Sequence, residues 1–337
     1  MNISSLVDSQ CLIHPIVDTS HSGNNLFVLR DDLLPFGFGG NKVRIALEFV
    51  DDLRALGKNA LVAYGSSTSN MCRVIANICR SYGIPCTVVL SQSDEANGDC
   101  NNKRLMNLFG ARTITCTPDA IAPAVETALT RYQSEGFDPY YIFGNTLGQG
   151  NEHVAARAYA KTYELISAYA QANGFSFDRI FCASGTQATQ SGLICGHIIT
   201  GDSCKVQGIM ISSRSEERAR KAIQEAAVPF LKERGISEAE SLVNSNTRLI
   251  TDKRRGGYGL YDHAVLQCAM EQLTVNGFPL DPVYTGKAFL GMQEYLVEEG
   301  VSGENILFVH TGGEPIFYDH LQAGSFELAP QGTIEVA

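Results

Sequence analysis

Phe38-Gly39-Gly40-Asn41-Lys42-Val43-Arg44 places a lysine just after two glycines, at a point where a helix opens at Val43. A lysine there meets the positive end of the helix dipole. That end disfavours the ammonium form and helps to supply a neutral, nucleophilic amine. Lysine amines of lowered pKa form Schiff bases with carbonyl compounds. An isolated lysine is more often a solvated surface residue, so what surrounds Lys42 decides its reading.

Working outward, a second stretch with chemical content is Ala183-Ser184-Gly185-Thr186-Gln187-Ala188-Thr189, which follows a strand expected over 179–183. Small residues let backbone amides approach an anion, and the helix that begins there adds its dipole. The hydroxyls of Thr186 and Thr189 are further donors. The stretch suits a phosphate monoester, and taken alone it suits an ordinary capped strand-to-helix turn equally well. A nucleotide loop of the common kinds is absent. Gly286-Lys287-Ala288 lacks the hydroxyl and the upstream glycine of a Walker loop, and no G-x-G-x-x-G occurs.

Between and beyond these stretches, short apolar runs alternate with longer amphipathic ones. Strands are expected over 26–30, 60–65, 86–90, 112–116, 140–143, 179–183, 206–211, 247–251 and 306–310. Helices are expected over 69–82, 152–171, 187–197, 216–232, 262–275 and 285–299. This alternation predicts an α/β protein with mostly parallel sheets. Ligands then gather at the carboxyl ends of strands, which directs attention to Ser66-Ser67-Thr68-Ser69-Asn70, Gly256–Gly259, Val283–Lys287 and Thr311-Gly312-Gly313 as well.

Composition narrows the class. A net charge of -10 argues against a nucleic-acid partner, which calls for a basic face. No apolar run reaches the roughly 18 residues of a membrane span, and residues 1–20 lack an apolar targeting segment, so a cytoplasmic enzyme is expected. The ten cysteines form no C-x-x-C pair and sit mostly in apolar segments. They read as buried small hydrophobes in a reducing compartment, with no metal site.

The motifs together resemble the D-cysteine desulfhydrase and 1-aminocyclopropane-1-carboxylate (ACC) deaminase family of pyridoxal 5′-phosphate enzymes. They are Arg30-Asp31-Asp32 with the Lys42 stretch, Ser69-Asn70 with Arg73, Ser184-Gly185-Thr186, Gly257-Tyr258-Gly259, Asp281-Pro282-Val283-Tyr284-Thr285-Gly286-Lys287 and His310-Thr311-Gly312-Gly313. They occur in the family's order over nearly the whole chain. The resemblance implies fold type II, the tryptophan-synthase-β-like architecture of two open parallel-sheet domains with the cofactor in the cleft. It implies a large domain from 1–47 and 159–337, an inserted α/β domain from 48–158, and a homodimer. In that family the lysine matching Lys42 carries the cofactor as a Schiff base, and the asparagine matching Asn70 bonds its phenolic oxygen. The residues matching Ser184, Gly185, Thr186, Gln187, Ala188 and Thr189 cradle its phosphate. Thr285 and Thr311 fall where the pyridine nitrogen is contacted. Tyr258 and Tyr284 line the substrate side as proton-handling residues, and Ser69 faces the substrate carboxylate, with Thr68, Asn70 and Met71 beside it.

The implied activity is β-elimination and deamination of a small amino acid to a keto acid and ammonia. β-Replacement of the cysteine-synthase type and ACC ring opening are the alternatives. Departures from the family pattern bear on the substrate. Thr68 stands where glutamine is usual, Met71 where histidine or glutamine is usual, Ile45-Ala46 where Lys-Leu is usual, and Tyr261 where proline is common.

Overall fold

Cys86-Thr87-Val88-Val89-Leu90 and Ile306-Leu307-Phe308-Val309-His310 are buried along their whole length, the pattern of central strands covered by helices on both faces. The computed structural model describes residue 7 and residues 9–91 and 100–326. Its strands are β1 (Ile13–Ile16), β2 (Asn25–Arg30), β3 (Ala60–Ser66), β4 (Cys86–Ser91), β5 (Arg112–Cys116), β6 (Pro139–Tyr141), β7 (Arg179–Ser184), β8 (Lys205–Met210), β9 (Arg248–Ile250) and β10 (Asn305–His310). The helices are α1 (Asn41–Ala55), α2 (Asn70–Tyr82), α3 (Asn101–Leu108), α4 (Ile121–Ser134), α5 (Glu152–Ala172), α6 (Ala188–Thr200), α7 (Glu216–Glu233), α8 (Ala239–Asn246), α9 (His263–Glu271), α10 (Thr285–Glu298) and α11 (Glu314–Gln322).

Two sheets result. A six-stranded sheet runs β1-β2-β10-β7-β8-β9, and a four-stranded sheet runs β5-β4-β3-β6. Every pairing is parallel except that of β1 with β2. After β2 the chain leaves the larger sheet through α1, builds the whole of the smaller one, and returns along α5 to β7. The connection that leaves the larger sheet therefore begins at the Lys42 stretch.

Strand–helix alternation thus yields the expected parallel sheets. β1 was not expected. It carries Pro15, which cannot donate to a ladder, and it stands at the sheet edge where that is tolerated. The helix expected over 262–275 ends as α9 at Glu271 and continues as a π turn, Gln272–Asn276. The ten cysteines are free. Among the described residues, no helix is long and apolar enough to cross a membrane.

Candidate active site

The double glycine before Lys42 is a steric requirement. A Cβ on Gly39 would lie 1.8 Å from the Asp32 carbonyl oxygen, and one on Gly40 would lie 2.8 Å from the Thr311 carbonyl oxygen. Both glycines have positive φ, where a side chain is strained. The Gly40 amide donates to the Asp31 carbonyl at 2.8 Å and the Asn41 amide to the Thr311 carbonyl at 3.2 Å. The loop before α1 is thereby pinned against the segment after β10.

From the first turn of α1, Lys42 reaches the wall of a cavity of about 460 Å³, a volume suited to a small cofactor with substrate. No hydrogen bond or ion pair occupies its Nζ among the described residues, and burial lowers its amine to about 8. Burial is the cause of that shift.

Asn70 opens α2 after β3, and Ser69 caps that helix by accepting the Cys72 amide at 3.2 Å. Asn70 Oδ1 accepts from Arg73 Nη1 and, at 3.0 Å, from Asn102 Nδ2. The amide is thus oriented with its Nδ2 donor uncommitted. Ser69, Asn70 and Met71 line the cavity. Thr68 does not: its hydroxyl meets Ser66 Oγ at 3.0 Å and its carbonyl accepts from Asn102 at 2.7 Å.

The β7–α6 turn brings Gly185, Thr186, Gln187, Ala188 and Thr189 to the same wall. Gln187 precedes α6 in the left-handed region, with φ of 67°. The amides that begin a helix have no partner within it. Thr189 Oγ1 accepts from Asn41 Nδ2 at 2.8 Å, which joins this turn to the Lys42 helix. Ser184 is turned inward, and its hydroxyl donates to Gln190 Oε1 at 2.6 Å.

Two tyrosines line the same cavity, their hydroxyls 2.6 Å apart and their rings edge-on. Burial, with Tyr258 beside it, holds the Tyr284 phenol well above its usual range, whereas Tyr258 is 48% exposed. Lys287, fully buried, donates to the carbonyls of Ile211 and Gly257 and so anchors the loop that carries Tyr258.

Thr311 is on the cavity wall, but Thr285 is not. The Thr285 hydroxyl is buried and donates to Asp281 Oδ2 at 2.7 Å. Behind Thr311, His310 Nε2 donates to the Pro279 carbonyl at 2.7 Å and Nδ1 accepts the Gly312 amide at 3.1 Å. The ring therefore braces that turn.

Ser212, Arg214, Tyr64 and Phe143 also line the cavity, and the sequence reading did not include them. Ser212 and Arg214 had a signal of the same kind as the others, since they follow the strand expected over 206–211.

The residues present fit pyridoxal phosphate. Gln187 Nε2 and Ser212 Oγ are buried on this wall without a partner, a state that a bound acceptor relieves. An unpaired lysine, unpaired helix amides and an oriented asparagine donor complete the set.

Residues 13–312 match the family model described as pyridoxal-phosphate dependent enzyme. The D-cysteine desulfhydrase of Yersinia enterocolitica is 30% identical over 312 residues, 89% of this chain and 90% of that one. The D-cysteine desulfhydrase of Salmonella typhi is 28% identical over 314 residues, with the same shares covered. A solved structure of an ACC deaminase homologue superposes with a TM-score of 0.77 at 25% identity, covering 94% of each chain. A parallel α/β fold with a lysine-centred cleft defines the class, fold type II pyridoxal-phosphate enzymes. The chain belongs to the pyridoxal-phosphate dependent enzyme family, and it is an enzyme that uses that cofactor.

Proposed function

We propose that this chain is a lyase that eliminates a leaving group from Cβ of a small amino acid, releasing a keto acid and ammonia. One observation carries the reading. An unpaired Lys42 amine lowered to about 8 shares one cavity with the hydrogen-bonded Tyr258–Tyr284 pair. The desulfhydrase names of the relatives support the same reaction class.

Bound pyridoxal phosphate supplies an electron sink for bonds broken at Cα and Cβ. Lys42 would hold the cofactor, and its free amine would take the proton from Cα. A base of this pKa is matched to working near neutrality. Asn70 offers Nδ2 to the phenolic oxygen, its Oδ1 being held by Arg73 and Asn102. The amides and hydroxyls of Gly185, Thr186, Gln187, Ala188 and Thr189 bind the phosphate. Ser69 orients the substrate carboxylate, with Met71 beside it and Thr68 acting through Ser66. Tyr258, with Tyr284 behind it, protonates the leaving group. Thr311, rather than Thr285, serves the pyridine nitrogen, because the Thr285 hydroxyl is committed to Asp281. The donor is a neutral hydroxyl in either case, which suits departure of a good leaving group.

Residues 48–158 form the inserted domain of this reading, and 1–47 with 159–337 form the larger one. A cytoplasmic homodimer accords with the ten free cysteines and the general preference for closed symmetry.

The test is a product assay on purified enzyme with β-chloroalanine, D-cysteine and ACC. Keto acid and ammonia are expected from β-chloroalanine, with little or none from ACC. Turnover of ACC without any β-elimination overturns the proposal, as does a product that keeps its amino nitrogen, the mark of β-replacement.

A further inference from the structure

β7 and β8 are parallel neighbours with Ser184 opposite Met210, so the turn at 185–189 and the segment at 211–214 leave the sheet side by side. Arg214, on the second, reaches the cavity wall and donates Nη1 to Gln187 Oε1. Gln187 is 2% exposed, and its Nε2 has no partner.

Among the described residues no carboxylate pairs with Arg214. Two carboxylates share its wall, and each is engaged elsewhere: Glu152 accepts the Gly150 amide at 2.8 Å, and Glu225 lies 3.7 Å from Lys221. Burial and the nearby charge of Arg218 both disfavour the Arg214 cation. It also lies close to the N-terminus of α6, which carries positive partial charge. A guanidinium kept in such a place without a counter-ion is unfavourable, unless an anion is part of the working molecule. The planar fork of arginine matches a phosphate group better than a point charge does.

We propose that Arg214, held by Gln187, is the counter-charge for the phosphate dianion of the cofactor. The proposal rests on the reading of the 185–189 turn as the phosphate cradle. It adds a charged, side-chain component to a site otherwise made of amides and hydroxyls, and it gives the orphaned Gln187 Nε2 and Ser212 Oγ a shared acceptor. It also makes retention of the phosphorylated cofactor sensitive to salt.

The test compares the full-length enzyme with Arg214→Gln, Arg214→Lys and Thr186→Glu, all checked for folding by far-UV circular dichroism. Equilibrium dialysis measures the Kd for pyridoxal phosphate and for unphosphorylated pyridoxal. In Arg214→Gln the Kd for pyridoxal phosphate is expected to rise on the order of 10- to 100-fold, the worth of a hydrogen bond to a charged group. The Kd for pyridoxal should stay unchanged, and Arg214→Lys should recover part of the loss. Equal weakening for both compounds would make Arg214 a structural residue. An unchanged Kd with a raised KM for the amino acid would assign it to the substrate carboxylate. Either result overturns the proposal. Thr186→Glu separates the two levels: full retention of pyridoxal phosphate there sinks the cradle itself, whereas its loss there beside an unaffected Arg214→Gln sinks only the role of Arg214.

Discussion

Lys42 and Lys287 pose the problem of function at the scale of a residue. Burial lowers both amines to about 8, so acidity does not tell them apart. Partners do. Lys287 Nζ is committed to backbone carbonyls away from the cavity, while Lys42 Nζ is uncommitted and on its wall. Borohydride reduction of the yellow enzyme, followed by peptide mapping, should therefore place the pyridoxyl group on Lys42. An adduct on Lys287 would contradict the whole site. The sign of the pH dependence also follows. A lowered amine is neutral above about 8 and charged below it, so the rate at which cofactor-free enzyme captures pyridoxal phosphate should rise with pH and level off above that value. The Lys42 stretch was legible in the sequence because its two glycines answer to contacts made by backbone, with Asp32 and Thr311. The orientation of Asn70 was not, because Asn102, on a different helix, helps to set it.

At the scale of an element, α6 carries the proposed cradle at its first turn and packs on α5 through glycine. A Cβ on Gly192 would lie 2.5 Å from both the Ala156 carbonyl oxygen and Tyr159 Cβ. Helix propensity alone predicts that Gly192→Ala stabilises by about 1 kcal/mol. Overlap with backbone of a packed neighbour outweighs this, since overpacking costs about 1–3 kcal/mol. Gly192→Ala should therefore lower the urea midpoint and weaken pyridoxal phosphate binding, as α6 is pushed away from α5. A raised midpoint would show that the helices part without cost. The apolar runs that became β4, β7 and β10 could be read directly, because strands buried on both faces have no polar alternation to disguise them. α3, α4, α8 and α11 were not expected. Their apolar faces are short, and packing on neighbours supports them more than local pattern does.

At the scale of the whole molecule, one buried cluster ties three parts of the chain together. Asp31, just after β2, accepts from Arg44 Nη2 at 2.8 Å and from Arg44 Nε at 3.1 Å, and also from the Tyr159 hydroxyl of α5. Arg44 in turn donates to the carbonyls of Val7 at 3.0 Å and Gln10 at 2.7 Å. The N-terminal segment, the Lys42 helix and the helix that returns to the larger sheet all meet there. Asp31→Ala would leave Arg44 buried without a counter-ion, which typically costs about 3–5 kcal/mol. Urea unfolding should show a loss of this size, together with weaker cofactor retention because α1 loses its anchor. A loss below about 1 kcal/mol would mean that water or another residue replaces the carboxylate.

By itself the sequence determined the parallel α/β class, the lysine and the loops that gather around it. Periodicity and turn chemistry are local, and strand ends in such a fold converge on one crevice. Which hydroxyls face that crevice was decided only by tertiary structure. Thr285 and Ser184 looked as available as Thr311 and Thr186, yet Asp281 and Gln190 turn them inward. Arg214 follows an expected strand, as the other loops do, but it reaches the wall because β8 pairs beside β7. A loop side chain points where its hydrogen-bond partners allow, and those partners come from parts of the chain that no local window contains.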